Sequence, residues 1–413
     1  MKQPSRAKKS ELDMIPEERE EIVFSEAVLV NPKRDLKKGT RTKFVSMVEL
    51  SDFKKRIQGY TFREYSGGSK FINGDTLMAR ITPCLENGKT ALVNILDNGE
   101  VGGGSTEFIV LSAKEGKTIP QFVYYLAISP EVRGKAIKSM TGTSGRQRVE
   151  NDVFDKIVIK LPSISEQYSI TNVLGDFDLK IELNQQMNAT LEKIGQAFFK
   201  HWFIDFDFPN ERGKPYKSSS GKMVDSELGE IPKGWTAGKF CDLVEVTTGK
   251  GLKRDEFVVD GNFSVLGANG ELGKTDKYLF DEKLILTGRV GTLGTVYLIK
   301  DKCWISDNVL ISKPIQEENY YYAFFVIRQF DFQSLNRGST QPLITQTDLK
   351  NQRVVIPNKE TLVMFHKILA GLYEKLDLNN YESKYLSQIR DSLLPKLMSG
   401  KIRVNAHRSG GCC

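Results

Sequence analysis

The chain repeats one long helical pattern at an offset of 195 residues, and this repeat restricts its possible folds more than any other feature. Between Pro162 and about Phe203, the residues Leu174, Phe177, Ile181, Leu191, Phe198 and Trp202 are separated by sums of three and four, which puts them on one seam of an α-helix. Shifted by 195, Leu369, Leu372, Leu376, Leu386, Leu393 and Leu397 take those places without a gap. Leu183/Leu378, Lys180/Lys375 and Ile194/Ile389 are identical pairs. A helix of roughly 40 residues is a rod about 60 Å long at 1.5 Å per residue.

Both copies carry polar residues in the middle of the seam. Asn184 matches Asn379, and Asn188 is answered by Ser383. A polar residue in a coiled-coil seam lowers stability but fixes register, so Asn184 and Asn379 are read as a register pin. The competing reading is a helix that breaks there and leaves the Asn side chains in solvent.

With 413 residues the chain exceeds one ordinary core, and two or more domains are expected. No run approaches the 18 apolar residues of a membrane span and the N-terminus has no apolar signal core, which predicts a cytoplasmic protein without membrane contact. Five cysteines (Cys84, Cys241, Cys303, Cys412, Cys413) form no CxxC pair and there are three histidines, so no metal site is expected. The formal net charge of +7 suits a polyanionic partner. Between Lys33 and Arg63 ten basic residues face three acids. Lys54, Lys55 and Arg56 in that stretch are candidate phosphate contacts, with a solvated charged face as the alternative.

Along the chain we expect an N-terminal arm (1–20), a first β-rich domain (21–161), a first long helix (162–205), a Ser/Gly/Pro/Lys-rich linker (206–234), a second β-rich domain (235–357), a second long helix (358–400) and a tail (401–413) ending in what reads as an appended Arg408-Ser-Gly-Gly-Cys-Cys413. In the first domain, short β-type runs such as Lys43-Phe-Val-Ser-Met-Val48, Thr76-Leu-Met-Ala-Arg-Ile81 and Glu107-Phe-Ile-Val-Leu111 lie between Gly-rich turns at Gly67-Gly68 and Gly102-Gly103-Gly104. A helix at Pro120 to Ile128, a loop Thr141 to Arg148 and a strand Ile157 to Leu161 complete it. The second domain repeats that order: Lys283 to Arg289, Ile305 to Ile311, a helix Asn319 to Ile327, a loop Asn336 to Gln341 in which Ser339 aligns with Ser144, and a strand Arg353 to Pro357. The expected class is α/β: two β-rich α/β domains joined by two long helices in an antiparallel coiled coil, with a pseudo-two-fold internal repeat.

Catalytic signatures are not found. There is no Gly-rich cofactor loop, no Asn/Asp-Pro-Pro-aromatic tetrapeptide for adenine methylation and no Walker loop. Gly288-Arg-Val-Gly-Thr-Leu-Gly294 lacks the Lys and the following helix of a phosphate loop, although Arg289 on that turn can approach a groove. His201, His366 and His407 stand in helical or tail positions, a poor basis for nucleophilic catalysis.

Four local signatures then carry a family resemblance: Gln196-Ala-Phe-Phe-Lys-His-Trp-Phe-Ile-Asp-Phe-Asp207, Glu227-Leu-Gly-Glu-Ile-Pro-Lys-Gly-Trp235, Gly338-Ser-Thr-Gln341 and Leu393-Leu-Pro-Lys-Leu-Met-Ser-Gly-Lys-Ile402. In this order the chain resembles the specificity subunit of type I restriction-modification systems. The resemblance implies two target-recognition domains and a non-catalytic subunit that reads a bipartite, asymmetric double-stranded DNA target. It further implies two adenine methyltransferase subunits as partners and two restriction/translocase subunits for cleavage. S-adenosylmethionine and ATP would belong to those partners, with no cofactor here. Thr143-Ser-Gly-Arg-Gln-Arg148 departs from the Gly-Ser-Thr-Gln order of the second loop. Arg146, Gln147, Arg148, Arg337 and Gln341 are the expected base readers, since Arg and Gln bond guanine and adenine edges bidentately. The alternative is that these loops brace each domain on its helix. Phe199, Phe203, Phe206 and Phe208 are more aromatics than one seam needs, which predicts a partner interface along the outer faces of the long helices and at the junctions around Phe198 to Phe206 and Leu393 to Leu397. Two rivals remain: a coiled-coil scaffold with protein-binding heads, and a methyltransferase acting on its own.

Overall fold

The computed structural model describes residues 19–404, apart from Ser144 and Ser339. Most of the expected N-terminal arm, the tail from Asn405 with His407 and the final cysteines, and the Ser144/Ser339 alignment lie outside the described residues. The chain forms two compact units, Met1–Asn184 with Tyr381–Cys413, and Gln185–Asn380. The division passes through both long helices, so each unit owns one β-rich domain and one half of each helix.

In the first unit a four-stranded antiparallel sheet runs in the order Val28–Val30, Phe108–Ala113, Thr76–Ala79, Thr90–Leu92. Its two inner strands are buried on both faces, which explains their unbroken apolar sequence. A second, mixed sheet has the order Thr61–Glu64, Arg41–Val45, Gly102–Gly104, Ser69–Phe71. Gly102–Gly104 is therefore a buried strand and not the expected turn. Phe71 and Tyr65 lie where side chains would be: a Cβ on Gly102 would meet Phe71 Cε2 at 2.4 Å. Glu20–Val23 pairs with Val158–Leu161 at the entrance to the first long helix. The helix Pro120–Ile128 is buried from Phe122 to Ala127.

The second unit repeats this plan. Its antiparallel sheet runs Val244–Thr248, Val309–Pro314, Leu284–Gly288, Val296–Ile299. A three-stranded sheet runs Gly270–Thr275, Phe263–Gly267, Cys303–Ile305, the last pair parallel as Arg41–Val45 and Gly102–Gly104 are. Thr236–Lys239 pairs with Arg353–Ile356. The helix Asn319–Ile327 is buried along its whole length. The run Ile305 to Ile311 does not form one strand: Cys303–Ile305 and Val309–Pro314 belong to different sheets, with a turn at Asp307 and Asn308 between them. The expected linker is also folded. Phe208 stacks on Trp235 at 4.9 Å and on Tyr216 at 4.7 Å, and Met223–Ser226 forms a hairpin with Gly229–Pro232.

The long helices are Ile164–Phe199, extended by a π-type turn Lys200–Ile204, and Lys359–Met398. Their starts match at the 195-residue offset. Pro162 and Pro357 precede the caps: Ser163 Oγ accepts from Glu166 N–H at 3.3 Å and Asn358 Oδ1 from Thr361 N–H at 3.2 Å. In the first unit, contacts rise along one helix as they fall along the other, from Lys180 with Glu382 to Asp178 with Arg390, so the helices are antiparallel. In the second unit Asn188 meets Asn379 and Asn380, while the close approach at Gly195 admits Leu369. Each half-helix is sealed to its domain: Ile170, Leu174, Leu394 and Leu397 join the first core, and Leu362, Phe365, Leu369 and Tyr373 join the second.

Candidate nucleic-acid interface

In each domain, the end of the central strand makes the same three backbone bonds, one to the start of the neighbouring strand and two to the loop before the last strand. In the first unit Arg80 N–H donates to Glu107 O, Val149 N–H to Arg80 O and Thr82 N–H to Gln147 O, at 2.9, 2.9 and 3.0 Å. In the second, Arg289 N–H donates to Asn308 O, Ile344 N–H to Arg289 O and Gly291 N–H to Pro342 O, each at 3.0 Å. Arg80 and Arg289 are thus structurally equivalent, as are Gln147 and Pro342, and Arg148 and Leu343. One residue earlier stand Arg146 and Gln341, both exposed.

The expected readers differ in freedom. Arg146, Gln147 and Gln341 have no side-chain hydrogen bond among the described residues. Arg148 holds Glu107 through both its Nε and Nη2, at 3.0 and 2.7 Å, and these bonds keep the Glu107 carboxyl below the usual carboxylate range. Arg337 is paired with Asp348. Burial alone would raise that carboxyl, but the Thr345 hydroxyl and amide and the Arg337 guanidinium hold it below its ordinary value. Arg148 and Arg337 therefore brace their loops in the free protein. Among the described residues, Arg289 Nη1 reaches only Asp307 O, at 3.5 Å.

The basic stretch divides in the same way. Lys54 is exposed with no side-chain partner among the described residues. Lys55 is turned inward: Nζ donates to Tyr125 Oη at 3.0 Å, lies 3.7 Å from Asp178 and 4.7 Å from the Tyr125 ring centre, and burial lowers its pKa against the pull of Asp178. Arg56 pairs with Glu182 at 2.6 Å. Of the trio expected to meet phosphate, Lys55 and Arg56 are engaged by acids on the first long helix and fasten the domain to it.

In the seam, Asn184 and Asn379 are each 1% exposed. Asn184 Nδ2 donates to Ser383 Oγ at 3.3 Å and to Glu382 Oε2 at 2.8 Å, while Asn379 Nδ2 donates to Asn188 Oδ1 at 2.8 Å. The Asn184/Ser383 and Asn188/Asn379 contacts are images of each other under the internal repeat.

The aromatic cluster corrects one expectation. Phe199 and Phe203 are each 4% exposed and pack on Tyr322, Phe325 and Phe365, with Phe203 4.6 Å from Tyr322 and 4.8 Å from Phe365. Phe206 sits edge-on to Trp235. Leu394 and Leu397 are buried too. These side chains fill the domain-helix joints and present little surface to a partner. The apolar surface lies elsewhere on the helices, at Leu179, Leu183, Met187 and Ile194 on the first, and at Leu378, Tyr381, Tyr385 and Ile389 on the second. Each set is spaced by three, four or seven, so it forms one face.

Known proteins share both the order of these parts and their duplication. The sequence profile described as "Type I restriction modification DNA specificity domain" matches residues 28–193 and again 232–388. The chain belongs to this family. It is 28% identical over 316 residues to the type I restriction enzyme MjaIX specificity subunit of Methanocaldococcus jannaschii, covering 70% of this chain and 71% of that one. It is 27% identical over 408 residues to the HindI specificity subunit of Haemophilus influenzae, covering 80% and 86%. The crystal structure of the type I S subunit from M. genitalium has the same fold, with a TM-score of 0.56 at 16% identity over 93% of this chain and 98% of that one.

The two matched segments each take in one β-rich domain and most of the long helix that follows it. Sequence reasoning missed Arg80 although it noted that Thr76 to Arg80 is echoed before Arg289, and that echo was the available signal. It missed Asp178 and Arg390 because a buried ion pair leaves no periodic trace. Among the described residues, no group of three or more His, Cys, Asp and Glu side chains could hold a metal ion, and no helix is long and apolar enough to cross a membrane.

Proposed function

We propose that the chain is the non-catalytic, DNA-reading and assembling subunit of a cytoplasmic type I restriction-modification complex, and that its two domains read the two unlike halves of an asymmetric bipartite target. The observation that carries this reading is the duplication itself: one topology, hung on one pair of helices, presents Arg146-Gln147-Arg148 in one loop and Gln341-Pro342-Leu343 in the other. Equivalent frames with unlike tips suit two unlike half-sites. The exposed residues that are identical across the repeat, Leu183/Leu378 and Ile194/Ile389, favour a partner that binds twice, here two methyltransferase subunits. Restriction/translocase subunits join the assembled complex.

Co-expression of the chain with the methyltransferase of its own system tests the reading. A complex with two methyltransferase copies and methylation at a single bipartite motif is expected. If the purified chain alone binds S-adenosylmethionine and methylates DNA, it is an enzyme and this reading is wrong. If it takes no duplex DNA at any salt, the scaffold reading replaces it.

A further inference from the structure

Two half-sites differ in their bases but share one sugar-phosphate backbone. A side chain that both domains keep at the same place, while their loop tips differ, is suited to the shared element. Arg80 and Arg289 meet that condition, pinned by the same three backbone bonds in each unit. Neither guanidinium has a direct ion-pair partner among the described residues, although the Arg80 charge adds to the Arg148 bonds in lowering the Glu107 carboxyl, whereas Arg34, Arg148 and Arg337 beside them are paired with Asp75, Glu107 and Asp348. What holds each one is a backbone carbonyl, Val149 O for Arg80 Nη2 at 2.8 Å and Asp307 O for Arg289 Nη1 at 3.5 Å. The Nε of both is buried without a partner. Carbonyl contacts aim a guanidinium without neutralising it.

Arg80 also lines the wall of an open cleft of about 640 Å³, with Asn31, Lys33, Arg34, Ser69 and Lys70 around it and no acid in its lining. The same cleft takes in Thr106, next to the Glu107 that anchors the reading loop. The corresponding strand of the second unit, Val244–Thr248, is followed by Lys250, Lys253 and Arg254. In the first domain the unpaired arginine thus stands among the basic residues of a strand exit, beside the variable loop.

We infer that Arg80 and Arg289 are the matched DNA-phosphate contacts of the two domains, setting each loop at a fixed height on the duplex while the loop tips read bases. This rests on the DNA-reading function above and assigns Arg289 to the backbone, away from the base edges. The test measures binding of the full chain to a random-sequence duplex pool and to the sequence the unmodified chain selects from it, between about 50 and 200 mM salt. Arg80→Gln and Arg289→Gln should each make the slope of log affinity against log salt shallower by about 0.9, one phosphate's worth. Both should weaken selected and unselected duplexes by the same factor and leave the selected sequence unchanged. Arg80→Lys keeps the charge and should keep the slope, which separates phosphate contact from a brace that needs the guanidinium fork. Unaltered slope and affinity in the Gln variants, a changed base in the selected sequence, or an Arg80→Lys that behaves like Arg80→Gln would each overturn the assignment. If the unmodified chain takes no duplex, the DNA-reading function fails along with it. If the unmodified chain binds and only the variants disagree, the assignment alone falls.

Discussion

Asp178 is enclosed by three groups that need its charge: Arg390 Nη1 at 2.7 Å, Tyr125 Oη at 2.5 Å and Lys55 Nζ at 3.7 Å. Burial works against the Arg390 charge, yet Asp178 and Asp391 hold its pKa above the ordinary value. At the positions 195 residues away stand Tyr373 and Gly195, and there the second unit closes with ring contacts, Tyr373 lying 5.1 Å from Tyr321 and 5.9 Å from Phe324. One joint is ionic and its repeat is aromatic. Removing one partner of a buried pair strands the other charge, so Asp178→Ala should cost about 3–5 kcal/mol. Asp178→Leu with Arg390→Met should recover most of that loss, as urea denaturation followed through the first unit would measure. Glu107 gives a pH prediction. Its folded pKa lies below the unfolded value, so its contribution is full above the ordinary carboxylate range and fades as pH falls through the depressed value. The protection of the Thr141 and Arg148 amides against exchange, taken relative to an unprotected peptide at the same pH, should fall between about pH 5 and 3, and Arg148→Gln should remove that pH step.

At the scale of elements, the long helices were legible because a seam 40 residues long leaves little room for another periodic structure. All twelve expected seam residues are buried or half-buried. The helices at Pro120–Ile128 and Asn319–Ile327 have the expected bounds. The triple-glycine strand was not legible, since its place in the sheet depends on aromatic rings from other strands filling the missing side-chain volume. Nor was the fold of residues 206–234, whose polar composition hides the stacking of Phe208 and Tyr216. The aromatic surplus was real, but its destination is tertiary and periodicity does not encode it. Phe203→Ala should therefore lower stability by about 3–5 kcal/mol, seen as a lower unfolding midpoint of the free chain. Leu183→Glu with Leu378→Glu changes exposed positions, so stability should stay within about 0.5 kcal/mol while co-purification with the methyltransferase subunit is lost.

For the whole molecule, the duplication and the family were legible, and the division of labour among basic residues was not. Lys55, Arg56, Arg148 and Arg337 look alike in sequence, yet acids distant in the chain decide which of them are occupied. The paired helices also carry a prediction about spacing. Four residues inserted in one helix alone should shift its seam past Asn184 or Asn379 and destabilise the chain. Four inserted in both at matched positions lengthen each by about 6 Å, close to two base pairs at roughly 3.4 Å each. Affinity should drop somewhat, because the added turn and the DNA twist do not cancel, while the spacer of the preferred site lengthens by one or two base pairs. An unchanged spacer would assign the distance to the domains. The claim that two independent domains read the two half-sites is tested most directly by genome-wide methylation mapping of cells carrying the chain with its methyltransferase, before and after substituting Gln341, the exposed candidate reader of the second loop. The account predicts relaxed base preference in one half-site, at about 1–3 kcal/mol per lost bidentate contact, with the other half-site and the spacer unchanged. Relaxation of both half-sites together, or of neither, would contradict it.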